Sequence, residues 1–217
     1  MVRSTRNFKQ TFSRFRLPAL LFLCLLLAAC TSTRTITIEG SYPSPLASQL
    51  SLTLGVIYNK AFSAYSFTET DEESGEDQYI INSGASQVNL FNTILPTIFS
   101  KVILLSSLDE APAYPDLDMI FEPVITDFQI GLPQKTRLDV YETWIKCNMR
   151  LSEPDGSSIA DWVWTAYGKS PQSSFGSVDA GVNQATIEAF RDLAATFSLR
   201  LTLIPEVNNW LQVNNEL

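Results

Sequence analysis

Apolar and polar residues alternate along several segments of the chain, and this period of two predicts β-strands. The first such segment covers residues 50–58, and a later one covers residues 117–130. Residues 137–151 alternate most regularly, and a Glu-Pro-Asp-Gly turn at 153–156 leads into a returning strand at 159–167. We therefore predict that the last two strands form a β-hairpin.

Two other segments have apolar residues at helical spacing. The first covers residues 86–99 with Ser86 as its N-cap, and Pro96 inside it is expected to bend or split the helix. The second covers residues 177–197, and a short helix containing Trp210 is predicted to follow. This order of elements predicts a single α+β domain, a mainly antiparallel sheet with two amphipathic helices packed on one face.

The N-terminus has a different pattern, a mostly apolar run of 13 residues from Leu17 to Ala29. A helix of that length measures roughly 20 Å, which is shorter than the roughly 30 Å hydrocarbon core of a bilayer. Five basic residues and no acidic residue precede the run. A basic segment followed by a short apolar run is typical of a secretory signal peptide.

The run ends in Leu27-Ala28-Ala29-Cys30, which resembles the lipobox of bacterial lipoproteins. The resemblance implies cleavage between Ala29 and Cys30, a diacylglyceryl group on the Cys30 sulfur and an acylated new N-terminus. Two or more acyl chains hold a protein stably on a membrane. The alternatives are a membrane anchor that is kept and a chance Ala-Ala-Cys after a buried helix.

The residue after the cysteine bears on localisation. Thr31 stands where the usual inner-membrane retention signal has an aspartate. By resemblance to enterobacterial sorting rules, this predicts the outer membrane, with the protein on the periplasmic side and its membrane contact through the lipid on Cys30.

These features divide the chain into three parts. We predict a lipoprotein signal peptide at residues 1–29, a lipidated cysteine with a flexible stem rich in Ser, Thr and Pro at 30–48, and a periplasmic α+β domain at 49–217.

Removal of the leader changes the charge of the chain. The whole sequence has a formal net charge of −8, and the leader holds 5 of its 15 basic residues and none of its 23 acidic ones. The mature chain is therefore more acidic still, which excludes nucleic acid as a partner and indicates either solubility or a basic docking partner. Cys147 is then the remaining cysteine without an assigned role, and its place in a strand predicts a buried thiol.

The amino-acid composition excludes several kinds of catalytic and metal-binding site. The chain contains no histidine, which excludes Ser-His-Asp and Cys-His nucleophile systems and the commonest zinc ligand. We therefore expect no enzyme activity, no cofactor and no metal site. Two alternatives stay open: the acidic loop at 70–78 as a calcium ligand set, and paired carboxylates of a hydrolase, which are recognised by their separation in space.

Tryptophans supply the candidate interaction surface. If the hairpin turn is centred on residues 154–155, Trp162 and Trp164 share the core face with Cys147, and Trp144 lies on the opposite face. Exposed tryptophans often anchor partners in interfaces, so we take Trp144 and Trp210 as candidate interaction residues.

The order of features also resembles a family. A lipobox, a Ser/Pro stem, a strand with Gly55-Val56, an amphipathic helix, a hairpin and a C-terminal helix ending near Trp210 resemble YajG-like bacterial lipoproteins and, more loosely, small envelope lipoproteins of the lipopolysaccharide-assembly type. The resemblance implies an envelope accessory or structural role without a catalytic residue.

We therefore expect a non-enzymatic, lipid-anchored envelope protein that is an accessory or assembly component of an outer-membrane or trans-envelope complex, with an envelope protein as its partner. The alternatives are a carrier or binding module for a lipid or other apolar ligand, with a cavity between helices and sheet, and a carboxylate-based envelope hydrolase.

Overall fold

The computed structural model describes residues 32–46, 48–70 and 77–214. Most of these belong to one compact unit, Arg34–Glu69 with Tyr79–Leu217. A second unit, Met1–Thr33 with Thr70–Gln78, is described at only a few positions. The predicted signal peptide, its cleavage site, Cys30 and most of the acidic loop lie outside the described residues.

In the described part of the chain, eight strands form two sheets. The strands are β1 (Ser32–Thr37), β2 (Leu50–Ile57), β3 (Ser66–Thr70), β4 (Asp77–Asn82), β5 (Phe99–Leu105), β6 (Met119–Gly131), β7 (Val140–Ser152) and β8 (Ser158–Pro171). The α-helices are α1 (Lys60–Ser63), α2 (Gly84–Ile98), α3 (Pro133–Thr136), α4 (Val178–Arg200) and α5 (Pro205–Val213). Short 3₁₀ turns cover Leu108–Ala113, Gln172–Ser174 and Leu201–Leu203.

The larger sheet has the strand order β5-β2-β6-β7-β8, and the smaller sheet has the order β1-β4-β3. Strand β2 runs parallel to both β5 and β6, whereas β7 runs antiparallel to both β6 and β8. Parallel neighbours need a long crossover, and α2 lies within the one that joins β2 to β5. The α+β class is confirmed, with a mixed five-stranded sheet beside a three-stranded one.

The main core lies between the larger sheet and the helices α2 and α4. At its centre the rings of Phe91, Phe121 and Phe197 lie with centroids 5.2 to 5.7 Å apart, and each side chain is at most 1% exposed. Strand β8 approaches α4 most closely at Gly168, where even one added carbon would collide with the helix backbone. Aromatic rings and this close contact fill the space between helix and sheet.

A smaller cluster covers part of the opposite face of the sheet. Its members are Ile57, Leu105, Ala111, Leu117 and Ile120, and the 3₁₀ turn at Leu108–Ala113 contributes one of them. The hairpin of β7 and β8 carries exposed side chains on this same face.

The predicted flexible stem at 30–48 is wrong for residues 34–42, which belong to the folded domain. Ile36 and Ile38 are at most 3% exposed, and Tyr42 is 7% exposed. The Asn183 side chain accepts from the Glu39 amide at 2.9 Å and donates to the Glu39 carbonyl at 3.1 Å. Alternating isoleucines place two apolar side chains in the core, and this burial outweighs the Ser/Thr/Pro composition of the segment.

Helix α2 also begins earlier than predicted. It starts at Gly84 with Ser83 as its N-cap, and Ser86 is a buried residue of the first turn that bonds the Tyr42 hydroxyl. Pro96 lies in the last turn, so the helix continues past it to Ile98 before β5 begins. Among the described residues, no helix combines the length and the apolar character needed to span a bilayer.

Candidate functional site

The three tryptophans of the β7–β8 hairpin lie on the faces of the sheet that the sequence predicted. Trp162 pairs across the strands with Met149, and Trp164 pairs with Cys147, so both face the core. Trp144 pairs with Tyr167 on the opposite face. These two aromatic side chains are 39% and 38% exposed, which makes them an accessible pair on the surface.

A β-bulge in β6 brings polar residues to the same face. The pairing with β7 runs through Ile125 and resumes at Asp127, so Thr126 is the extra residue. An extra residue reverses the faces of the side chains that follow it. Ile125 and Phe128 therefore both face the core, whereas Asp127 faces outward. The Thr126 hydroxyl donates to the Lys146 carbonyl at 3.2 Å and holds the bulge.

After the bulge, the register lines up two rows of three side chains across β6, β7 and β8. One row is Asp127, Lys146 and Thr165, and the other is Gln129, Trp144 and Tyr167. We call these six residues the sheet platform. Strands about 4.8 Å apart and residues two positions apart along a strand give it a span of roughly 10 by 7 Å.

The sheet platform contains a shallow groove of about 260 Å³. Its lining residues are Asp127, Gln129, Trp144, Ile145, Lys146 and Thr165. Gln129 Nε2 donates to Asp127 Oδ2 at 3.0 Å, which joins the two rows. The groove thus combines one aromatic surface with both hydrogen-bond donors and acceptors.

A buried carboxylate on the same face of the sheet holds the aromatic pair through Tyr167. The rings of Trp144 and Tyr167 lie with centroids 5.2 Å apart at an angle of 40°. The Tyr167 hydroxyl donates to Glu142 Oε1 at 2.7 Å, and Glu142 is only 7% exposed. Desolvation, the hydrogen bond to Glu142 and its negative charge raise the pKa of Tyr167 to about 12. Tyr167 therefore stays a protonated donor at neutral pH and fixes the position of the pair.

A second surface feature lies at the C-terminal end of α4. This groove has a volume of about 590 Å³, and we call it the α4-end groove. Its lining residues are Pro45, Leu46, Ser48, Leu50, Ile98, Ala195, Ser198, Leu199, Leu201 and Thr202. Leu46 and Leu199 are fully and 75% exposed, and Leu203 in the following turn is 68% exposed. Three exposed leucines make this an apolar surface, which sequence reasoning missed.

Trp210, the other candidate interaction residue, lies elsewhere. It is half-buried, packs against the main core and donates from Nε1 to Glu153 Oε1 at 3.1 Å. Trp144 is on the opposite face of the sheet from that core, so the structure does not bring the two residues together. Their roles in binding a partner stay predictions.

The remaining candidates for chemistry are placed as follows. Cys147 is fully buried, as predicted, and burial raises the pKa of its thiol to about 12. Within the described residues, no three histidine, cysteine or acidic side chains converge as metal ligands.

Sequence reasoning also missed the polar part of the sheet platform. The available signal was a change of phase: Met119, Phe121 and Ile125 lie at odd positions, whereas Phe128 and Ile130 lie at even positions. Such a change indicates a bulge, which reverses the face of every later side chain.

Comparisons with known proteins were made by sequence and by structure. No protein-family model matches the sequence, and no curated protein matches it either. Among solved structures, the protein XCC0632 from Xanthomonas campestris, described by the family-model DUF330, is 13% identical with a TM-score of 0.51. The match covers 82% of this chain and 98% of that one. The two chains share a fold, and at this identity we take only the fold from the match.

Two further matched structures have lower TM-scores. The minor lipoprotein from Acinetobacter baumannii is 11% identical with a TM-score of 0.36, over 72% of this chain and 94% of that one. The PelC dodecamer from Paraburkholderia phytofirmans is 13% identical with a TM-score of 0.32, over 70% of this chain and 94% of that one.

Proposed function

We propose that this chain is a non-enzymatic, lipid-anchored envelope protein that acts as an accessory or assembly component of an outer-membrane or trans-envelope complex. Its partner is an envelope protein, and its membrane contact is the lipid on Cys30. Its location is the periplasmic side of the outer membrane.

One observation carries the protein-partner part of the proposal, namely where the apolar surface lies. The space between the larger sheet and the helices is filled by side chains such as Phe91 and Phe197, which are at most 1% exposed. The α4-end groove instead lies at the surface beside the exposed Leu46 and Leu199. Exposed apolar patches commonly mark sites of protein–protein contact.

The lipid-carrier alternative is supported by one feature, the volume of the α4-end groove. Ligand sites usually measure about 300–1,000 Å³, and a groove of about 590 Å³ falls in this range. Such sites bury most of the ligand, however, whereas this groove is open and Leu46 is fully exposed. We therefore favour a protein partner and keep an apolar ligand as the competing outcome of the test.

Crosslinking from the α4-end groove tests the choice. A photo-crosslinking amino acid at Leu199 is expected to capture one envelope protein in intact cells. The matched control is the same amino acid at Leu104, which is 66% exposed on the edge strand β5. An adduct from Leu199 that is lost in Leu203→Asp supports the proposal. Equal adducts from both positions would contradict it. Binding of a fluorescent fatty acid in the groove that is lost in Leu199→Asp would also contradict it.

The lipid anchor has its own test. Cys30→Ser should abolish labelling by radioactive palmitate and should shift the protein out of the outer-membrane fraction. Cys24→Ser is the matched control because it alters the other cysteine of the apolar run and should leave both readouts unchanged. Palmitate labelling that persists in Cys30→Ser would refute the anchor.

A further inference from the structure

We infer that the sheet platform binds a neutral saccharide, with one pyranose ring lying against Trp144 in the groove of about 260 Å³. This inference goes beyond the proposed function and uses a different surface from the α4-end groove. It rests on the side chains that the bulge at Thr126 brings together.

The polar lining suits hydroxyl groups in particular. A sugar hydroxyl both donates and accepts hydrogen bonds, so it needs acceptors and donors at close range. Asp127 supplies carboxylate acceptors, the Lys146 ammonium supplies donors, and the Thr165 hydroxyl supplies both. These three side chains form one row across adjacent strands.

The aromatic surface suits the ring of the same ligand. The face of an indole is electron-rich and attracts the partly positive C–H groups of an apolar ring face. Trp144 presents its indole 39% exposed and packs against Tyr167, whose own position is held by the hydrogen bond to Glu142. A position fixed before binding lowers the entropy that binding would otherwise cost.

The same lining disfavours other occupants. A cation would be attracted by Asp127 but repelled by Lys146, and an anion the reverse, so the neighbouring opposite charges give neither a net advantage. An acyl chain would cover both charged groups without offering either a hydrogen bond, which is unfavourable. A neutral ligand with hydroxyl groups is therefore the class that satisfies every side chain of the groove.

The size of the groove limits the ligand to one ring at a time. Sites for drug-sized molecules usually begin near 300 Å³, and this groove is smaller. A single ring in a shallow site is expected to bind with a dissociation constant of about 1 mM. A longer oligosaccharide can cross the groove and continue over the exposed face of the hairpin.

The test uses the full-length lipidated protein in lauryldimethylamine oxide, because glycoside detergents would compete for the groove. Maltotetraose and tetra-N-acetylchitotetraose are the neutral probes, arginine amide is the cationic probe and trigalacturonate is the anionic probe. Binding is measured by calorimetry and by the indole ¹⁵N–¹H signal of Trp144, which is assigned from its loss in Trp144→Phe.

We expect a neutral probe to bind and to shift the Trp144 signal. Trp144→Ala should weaken binding at least tenfold, Trp144→Phe should retain most of it, and Lys146→Met should weaken it several-fold. Val163→Ala is the control, since Val163 is 51% exposed on the same face outside the groove and should bind as the wild type does. Should Trp144→Ala lower the melting temperature markedly, Trp144→Phe and Lys146→Met carry the test.

Three results would overturn the inference. The first is the absence of binding of both neutral probes at concentrations up to tens of millimolar. The second is binding that Trp144→Ala and Lys146→Met leave unchanged. The third is tighter binding of arginine amide or trigalacturonate than of either neutral probe, which would assign the platform to a charged partner.

Discussion

Close packing between α4 and the sheet depends on the absence of a side chain at Gly168. An alanine at this position would place its methyl group against the Ala185 carbonyl oxygen and the Ala189 amide nitrogen. Both are backbone atoms of a helix, so they cannot move aside as a flexible side chain can. Glycine is therefore needed here because a side chain would collide with the helix. Its backbone conformation does not demand glycine, since it is not left-handed.

We predict that Gly168→Ala lowers the free energy of unfolding by at least about 2 kcal/mol, because the helix must shift away from the sheet. Urea denaturation followed by circular dichroism measures the change. The control is Gly176→Ala, where an added methyl group meets no atom within 4 Å. Equal stabilities of the two variants would contradict the packing argument.

The buried thiol of Cys147 leads to a prediction about pH. Burial raises its pKa from 9.0 to about 12, so the folded chain holds this proton when the unfolded chain has released it. The resulting stabilisation is complete below about pH 9 and is lost as the pH rises towards 12. Between about pH 8 and 10, we expect the free energy of unfolding to fall by about 1 kcal/mol from this group alone.

The measurement is urea denaturation at several pH values up to 10. The tyrosines whose pKa values burial raises above 10.0 add to the decline near pH 10 in the wild type and in Cys147→Ala alike, so the difference between the two slopes reports the thiol. In Cys147→Ala the free energy of unfolding should be lower at neutral pH but should decline less steeply over this interval. A variant with the same slope as the wild type would show that the thiol does not cause the decline.

Among whole elements, α4 contributes most to the main core through the residues of one face. Phe197 lies in ring contact with Phe91, Phe121 and Trp164. Leu199, two positions further along the helix, points away from this cluster and is 75% exposed. The helix thus presents a buried face and an exposed apolar side chain within a single turn.

This contrast predicts a large difference between two similar substitutions. Phe197→Ala should lower the free energy of unfolding by about 3–5 kcal/mol, because it removes a ring that is 1% exposed and leaves a cavity. Leu199→Ala should change it by less than about 0.5 kcal/mol. Chemical denaturation of both variants tests the assignment of Phe197 to the core and Leu199 to the surface. A comparable loss of unfolding free energy in Leu199→Ala would refute it.

The elements also show what a sequence pattern can and cannot reveal. The hairpin, its turn and the faces of Trp144, Trp162 and Trp164 followed from alternation and turn residues alone, because these are local properties. The bulge at Thr126 depends on the partner strand that β6 faces, and the mixed sheet depends on a crossover over α2. The bulge leaves a change of phase in β6, but which strands pair with β6 is decided by long-range contacts, so the platform residues on β6 and β8 were not predicted together.

For the molecule as a whole, the main difference from expectation is that the domain begins near Arg34. Strand β1 and the segment after it contribute Ile36, Ile38 and Tyr42 to the core, all at most 7% exposed. Composition alone indicated a stem here, since serine, threonine and proline are common in linkers. Burial of a few apolar side chains was enough to fix the segment in the fold.

Truncation tests this boundary. A chain that begins at Arg34 should melt at the temperature of the mature protein. A chain that begins at residue 43 loses three buried side chains and should melt more than about 10 °C lower or fail to fold. Differential scanning calorimetry compares the two. Equal melting temperatures would show that the segment before residue 43 is a flexible stem after all.

An early start to the folded domain determines how far the protein can extend from a membrane. With the lipid proposed for Cys30, three residues lie between the anchor and Arg34, and the four residue-to-residue steps of about 3.6 Å each reach at most roughly 14 Å. The domain would then search for its partner by lateral diffusion in a thin layer at the bilayer surface. Confinement to such a layer raises the effective concentration of any partner held in the same membrane, so a weak contact is enough for association.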